Sequence, residues 1–223
     1  VAGPLLLAGM TILMIGDSHL ATPGYLITSL HEDLVARGAK VHTLGICGSN
    51  AGDWLKASPA GQCGAAERKG AGKVVVLSDK TATTPISQLI AADKPDLVLV
   101  VLGDTMAGYD KPQFPKTWAW QQTTDLAKAI AATGKRCVWV GPNWGSVGAQ
   151  YKKTPERVKQ VSGFLASNVA PCDYIDSLKF SVPGQKEWAT VDGQHMTAPG
   201  YKLWGDAIDK ALLDTPAVKG LKK

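Results

Sequence analysis

Short runs that are apolar on both faces recur along this chain, separated by stretches of helical period. Leu97-Val98-Leu99-Val100-Val101-Leu102 is the plainest, and Thr11-Ile12-Leu13-Met14-Ile15 is another. A strand without a polar face must be covered above and below, which is the situation of parallel strands between two helical layers. Strands are expected at 11–15, 40–44, 73–77, 96–102, 136–140 and, briefly, 174–176. Between them, Thr22-Pro23, Thr84-Pro85, Thr154-Pro155 and Ala198-Pro199 each put a proline where a first helical turn would fit. Gly38 closes the first of these helices, and Gly134 stops another over 117–132. The alternation predicts an α/β fold, a three-layer α/β/α doubly wound parallel sheet with right-handed crossovers.

At 223 residues the chain suits one large domain. Residues 1–213 are read as that single domain and 214–223 as a loose tail. Residues 45–72 form the longest irregular stretch, rich in Gly and Ala, and a loop of that length is expected to be functional or tied down. Four cysteines, Cys47, Cys63, Cys137 and Cys172, allow three pairings. Cys47–Cys63 would close the Gly/Ala-rich loop, and Cys137–Cys172 would tie two neighbouring strand starts. Their spacing matches no zinc site, so no metal is expected. An even count compatible with local closure points to an oxidising compartment. A chain that opens at Val1 reads as a processed product, and the expected location is periplasmic or secreted. The longest apolar runs are of strand length, so no stable membrane insertion is expected. The net charge of +5 is mild, and no basic run is interleaved with aromatics, which argues against nucleic acid. The chain is taken as a monomer.

Ligands of open parallel sheets bind beyond the carboxyl ends of the strands. Those ends read Gly16-Asp17-Ser18-His19, Gly45-Ile46-Cys47-Gly48-Ser49-Asn50, Gly103-Asp104-Thr105-Met106 and Gly141-Pro142-Asn143-Trp144. Ahead of the last helix comes Asp192-Gly193-Gln194-His195. Serine needs a base to become a nucleophile, histidine can be that base, and a carboxylate can fix its tautomer. One imidazole suffices, so His19 is read as a loop residue, and His31 and His42 as surface or strand residues.

These blocks resemble the SGNH, or GDSL-type, hydrolases over about residues 11–212. Gly16-Asp17-Ser18 is similar to their first block, Gly48 falls where their oxyanion-hole glycine would, and Asp192-x-x-His195 resembles their last block. The resemblance implies the flavodoxin-like fold of that family, no cofactor, and a catalytic triad of Ser18, Asp192 and His195. It further implies an acylated carbohydrate or polysaccharide as the partner. One block departs from the family pattern: where Gly-x-Asn-Asp is expected, Thr105 stands in place of the asparagine that donates to the oxyanion. Thr105 is expected to serve beside Gly48, with Asn50 or Asn143 as substitutes. Asp17, Met106, Tyr109, Trp144 and Trp188 are expected around the substrate, with Asp17 also bonding loop N–H groups and the tryptophans offering flat apolar faces to sugar rings. The implied activity is a serine esterase removing an O-acyl, in particular O-acetyl, group from a carbohydrate. Two alternatives stand beside it: an O-acetyltransferase using the same triad, and a glycan-binding or assembly subunit with a weakened site.

Overall fold

The computed structural model describes residues 4–147 and 150–221. Strand β1 (Thr11–Gly16) leads through helix α1 (Leu26–Ala36) to β2 (Lys40–Ile46). The chain then doubles back through β3 (Ala65–Lys69) and β4 (Val75–Leu77). After α2 (Ile86–Asp93) come β5 (Leu97–Val101), α3 (Lys116–Ala131), β6 (Arg136–Val140), α4 (Pro155–Asn168) and β7 (Asp173–Ile175). Helices α5 (Ala198–Leu213) and α6 (Pro216–Leu221) finish the described chain. The strands form one sheet of seven in the order β4-β3-β2-β1-β5-β6-β7.

Side chains alternate across this sheet and so sort the core into two layers. Leu13, Ile15, Val98, Val100 and Trp139 pack with Ile90, Leu126, Ile130, Val161 and Leu165 of α2, α3 and α4. Ile12, Met14, Leu97, Leu99 and Val101 pack with Leu30, Leu34, Trp204 and Ile208 of α1 and α5. Each fully buried aliphatic side chain contributes about 1.5–3 kcal/mol, and both faces of the central strands collect it. From β2 to β1 to β5 the chain changes its direction of travel across the sheet. In doubly wound folds that switch opens a crevice at the strand ends, here between β1 and β5.

The structure corrects several expectations. The sheet is mixed, because β3 pairs antiparallel with β2 and β4 antiparallel with β3. Part of the stretch read as irregular is therefore strand β3. Its sequence, Ala-Ala-Glu-Arg-Lys, has no apolar alternation, and it is held by its neighbours and by the His42 Nε2 contact to Glu67 Oε2 at 2.8 Å. The run at 73–77 is the sheet edge, with Val75 and Val76 exposed. The tail is not loose. Helix α6 buries Ala217 and Val218, and the Ala217 N–H donates to Asp173 Oδ2 at 2.7 Å; residues 222 and 223 lie outside the described residues. Helix α1 begins at Leu26 and not at Thr22-Pro23, which form a turn closed by Tyr25 N–H to the Thr22 carbonyl. Cys47 pairs with Cys63 and Cys137 with Cys172.

His31, read as a surface or strand residue, is fully buried in α1. Its ring lies between the Thr43 hydroxyl and the Gly70 carbonyl, each at 2.8 Å. Burial lowers its pKa from 6.5 to about 4. The unfolded chain therefore takes up more protons than the folded one between those values, and stability falls as pH falls through that window. Urea midpoints at pH 7 and pH 4.5 should drop more in the wild type than in His31→Gln, whose amide can still donate to Gly70. Equal drops in the two proteins would remove His31 from the acid sensitivity of the fold.

Candidate active site

Beyond the end of β1 the chain enters a single helical turn, Ser18–Leu20. This turn lies across the end of β2. A Cβ on Gly45 would overlap the Leu20 carbonyl, so only glycine lets the Ser18 turn sit this low. Asp17 caps the turn, with Oδ1 accepting from the His19 N–H at 3.0 Å. The loop before α5 supplies the other side. Asp192 Oδ1 accepts from the N–H groups of Gln194 and His195 at 2.9 and 2.6 Å, which folds the loop around its carboxylate.

These two segments meet. Ser18 Oγ lies 2.6 Å from His195 Nε2, and His195 Nδ1 lies 2.7 Å from Asp192 Oδ2. Partial burial pushes the Asp192 carboxyl up. The two backbone N–H groups and the His195 ring outweigh this and hold it below its ordinary value. An ionised Asp192 can only accept, so Nδ1 carries the ring proton and Nε2 offers its lone pair to the Ser18 hydroxyl. Tyr25 stacks on the His195 ring at 5.9 Å, and Tyr151 meets it edge-on at 5.5 Å. The ring is thus fixed from its hydrogen bonds and from its faces.

Ser18 and His195 sit in a cleft of about 520 Å³ lined also by Gly48, Thr105, Tyr109, Lys111, Trp118 and Tyr151. Gly48, at φ +79°, packs against Gly61 beside the Cys47–Cys63 disulfide, and its N–H has no hydrogen-bond partner among the described residues. Thr105 reaches the cleft wall, but its hydroxyl donates to the Ser49 carbonyl at 2.8 Å. A hydroxyl has one proton, so Thr105 in this rotamer clamps the β5 end to the β2 end and offers no donor to the cleft. Both asparagines are engaged elsewhere. Asn50 Oδ1 caps the turn Ala51–Leu55, and Asn143 Oδ1 accepts from the Gly145 N–H. Neither side chain lines the cleft.

Of the residues expected around the substrate, Tyr109 alone lines the cleft. Asp17 and Met106 are each 1% exposed and belong to the turns beneath it. Trp144 and Trp188 line a separate hollow of about 40 Å³, where the Trp144 indole N–H donates to the Leu178 and Ser181 carbonyls.

The sequence did not announce what lies beneath Ser18. Asp104 is buried, and its carboxylate gathers Tyr109 OH at 2.5 Å, His19 Nε2 at 2.8 Å and Lys153 Nζ at 2.9 Å. Burial pushes the Asp104 carboxyl up. The Lys153 charge, His19 and Tyr109 overcome this and hold it well below the carboxylate range. The Lys153 side chain has no exposure. Its ammonium sits off the angle of a hydrogen bond and has no acceptor among the described residues, so the contact with Asp104 is coulombic. His19 Nδ1 faces the Tyr201 hydroxyl at 2.8 Å, and burial pushes that phenol far up, so Tyr201 donates and His19 Nε2–H donates on to Asp104. With both ring nitrogens engaged, His19 holds the Ser18 turn from below, its ring 5.4 Å from that of His195.

Removing one member of a buried ion pair strands the other, at a cost of about 3–5 kcal/mol. Lys153→Met should therefore lower the unfolding free energy in urea by that order, and adding Asp104→Asn should restore most of it. A single variant as stable as the wild type would show that Lys153 does not carry the Asp104 charge.

No family model matches the chain. A curated relative, Protein BcsX of Komagataeibacter xylinus, is 42% identical over 218 residues, which is 97% of this chain and 81% of the relative. A protein from Slackia heliotrinireducens classed with the SGNH hydrolases superposes with a TM-score of 0.62 at 18% identity, over 91% of this chain and 98% of that one. A peptidoglycan O-acetylesterase superposes with a TM-score of 0.59 at 14% identity, over 96% of this chain and 92% of that one. The sheet that places Ser18 after β1, Gly48 after β2 and Asp192-x-x-His195 before α5 has the fold of these SGNH hydrolases, and the chain belongs to the family of Protein BcsX.

Proposed function

We propose that this protein is a serine esterase that removes an O-acyl group, in particular O-acetyl, from a carbohydrate through an acyl-enzyme. The observation that carries this reading is the unbroken hydrogen-bonded chain from Ser18 through His195 to Asp192 on the floor of an open cleft. Ser18 Oγ attacks the ester carbonyl as its proton passes to His195 Nε2. Asp192 stabilises the imidazolium that forms. His195 then protonates the leaving sugar oxygen, and the Ser18–acyl ester remains. Water enters, gives its proton to His195, and attacks the acyl carbon; His195 returns the proton to Ser18 as the acid leaves.

The oxyanion is held by the N–H groups of Ser18 and Gly48. The free Gly48 N–H in a left-handed turn supports this role. The sugar side is supported by the likeness to a peptidoglycan O-acetylesterase and by the cleft lining. Asp110, Lys111, Gln150 and Gln194 suit hydroxyl groups and would be poor company for a fatty chain. The two disulfides support an exported location, periplasmic or secreted. The protein is taken to work as a monomer without metal or cofactor.

The Thr105 bond to Ser49 favours a second reading. With no side-chain amide at the oxyanion, hydrolysis would be weak, and the same fold could serve glycan binding or acyl transfer to a sugar hydroxyl. The two are separated with p-nitrophenyl acetate and a serine-reactive phosphonate. The wild type should turn over the ester and be labelled at Ser18, and Ser18→Ala should do neither. A wild type that is inert to both reagents refutes the esterase reading. Acylated oligosaccharide formed from an acyl donor would identify transfer in place of hydrolysis.

Thr105 gives an independent check. Losing an oxyanion donor costs on the order of 100- to 1000-fold in turnover. Because the Thr105 proton goes to Ser49, Thr105→Val should lower kcat by less than about tenfold and act mainly on stability. A fall of several hundredfold would return Thr105 to the oxyanion hole.

A further inference from the structure

The cleft extends away from Ser18 toward the start of α3, where it is lined by Lys111, Pro115 and Trp118. Trp118 is 39% exposed. An indole left this far in water gives up apolar burial that a core position would supply. Its backbone is nevertheless firmly set. Trp118 sits in the first turn of α3, directly after the Pro115 that precedes the helix, and the Ala119 N–H returns to the Pro115 carbonyl at 2.9 Å. A tryptophan on a fixed backbone has two side-chain torsions left to order, so it offers a broad apolar face at small entropic cost.

The surroundings suit one class of ligand. A pyranose ring has an apolar face of axial C–H groups and a rim of hydroxyls. The indole answers the face, and Asp110, Lys111 and Gln150 of the same cleft answer the rim. Tyr109 is tied down by its bond to Asp104, and Tyr151 packs against His195, so two further rings of the cleft lining are fixed. A lipid alcohol would leave those charged groups facing methylenes.

We propose that Trp118 is the platform of a glycosyl subsite that binds a sugar unit on the alcohol side of the ester, next to the unit whose acyl group reaches Ser18. The proposal rests on the esterase reading for the direction of the chain, but its binding test does not. Trp144 and Trp188, the tryptophans singled out by sequence, lie in another hollow and have no part in it.

Two measurements test this. In the first, Ser18→Ala is titrated calorimetrically with acetylated xylotetraose and with chitotetraose, then compared with Ser18→Ala/Trp118→Ala and Ser18→Ala/Trp120→Ala. Trp120 is exposed on the same helix and does not line the cleft. At least one oligosaccharide should bind, Trp118→Ala should weaken it by on the order of tenfold, and Trp120→Ala should leave it unchanged. In the second, kcat/KM is measured for acetylated xylotetraose and for p-nitrophenyl acetate. The loss caused by Trp118→Ala should be at least tenfold larger on the sugar ester. Equal losses on both esters, equal weakening by the two tryptophan variants, or no binding of either oligosaccharide would overturn the subsite. Tryptophan-dependent binding with no turnover of any ester would uphold the subsite and refute the esterase reading. Ester turnover with no oligosaccharide binding would do the reverse.

Discussion

The candidate site depends on a carboxylate that never touches water. Asp104 lies at the end of β5, on one lip of the crevice opened by the change of winding direction. Three segments converge on it: His19 from the turn after β1, Tyr109 from the loop after β5, and Lys153 from the loop before α4. A fourth, α5, joins through Tyr201 and His19. Ser18 is the residue before His19, and His195 is a few residues before α5. Ser18 and His195 therefore both hang from one buried charge. Burying a carboxylate is costly, and Lys153 makes it tolerable, at the cost of burying an ammonium as well. Hydrophobic contacts alone could fill this space. They would not fix the direction of the Ser18 turn, since apolar packing is indifferent to rotation and a hydrogen-bonded carboxylate is not.

The same network explains why a second histidine can sit beside Ser18 without competing for its proton. His19 and His195 are neighbours, and either type of side chain could serve as a base. Their surroundings divide the work. His195 keeps Nε2 open toward Ser18 because Asp192 holds its other nitrogen. His19 has a donor on one side and an acceptor on the other, and both are buried. Chemistry is assigned here by which lone pair remains free.

Much of this could be read from the chain. Strands β1, β5 and β6 were legible because they are apolar on both faces, and the Ser, Asp and His blocks were legible because they fall at strand ends and before a capped helix. What could not be read has physical causes. Strand β3 is polar and is imposed by its neighbours in the sheet. The dipeptide Thr-Pro opens α4 and, at Thr215-Pro216, precedes α6, yet at Thr22-Pro23 it makes only a turn, because the chain must first bring Tyr25 against His195. The tail carried a usable start signal that its short length obscured. Trp144 and Trp188 line a hollow apart from Ser18, whereas Trp118, which carries no motif, lines the cleft. Lys153 has no local signature, since a lysine in a loop looks solvated until another segment covers it.

The loop between β2 and β3 shows how a weakly apolar segment can still form a rigid wall. It carries Gly48, whose N–H has no acceptor among the described residues, and it has little core of its own beyond Ala51 and Trp54. Four local devices hold it. The Cys47–Cys63 disulfide closes it beside Gly48. Asn50 and Asp53 cap each other's backbone. The Thr83 hydroxyl donates to the Asp53 carbonyl at 2.6 Å, and Thr105 bonds Ser49 from across the crevice. Donors aimed at a developing charge are effective only if they need no reorganisation when the charge appears. Thr105 is therefore better understood as part of what fixes the Gly48 loop than as a shortened asparagine. Its hydroxyl bond to Ser49 adds to the rigidity of the loop that carries Gly48.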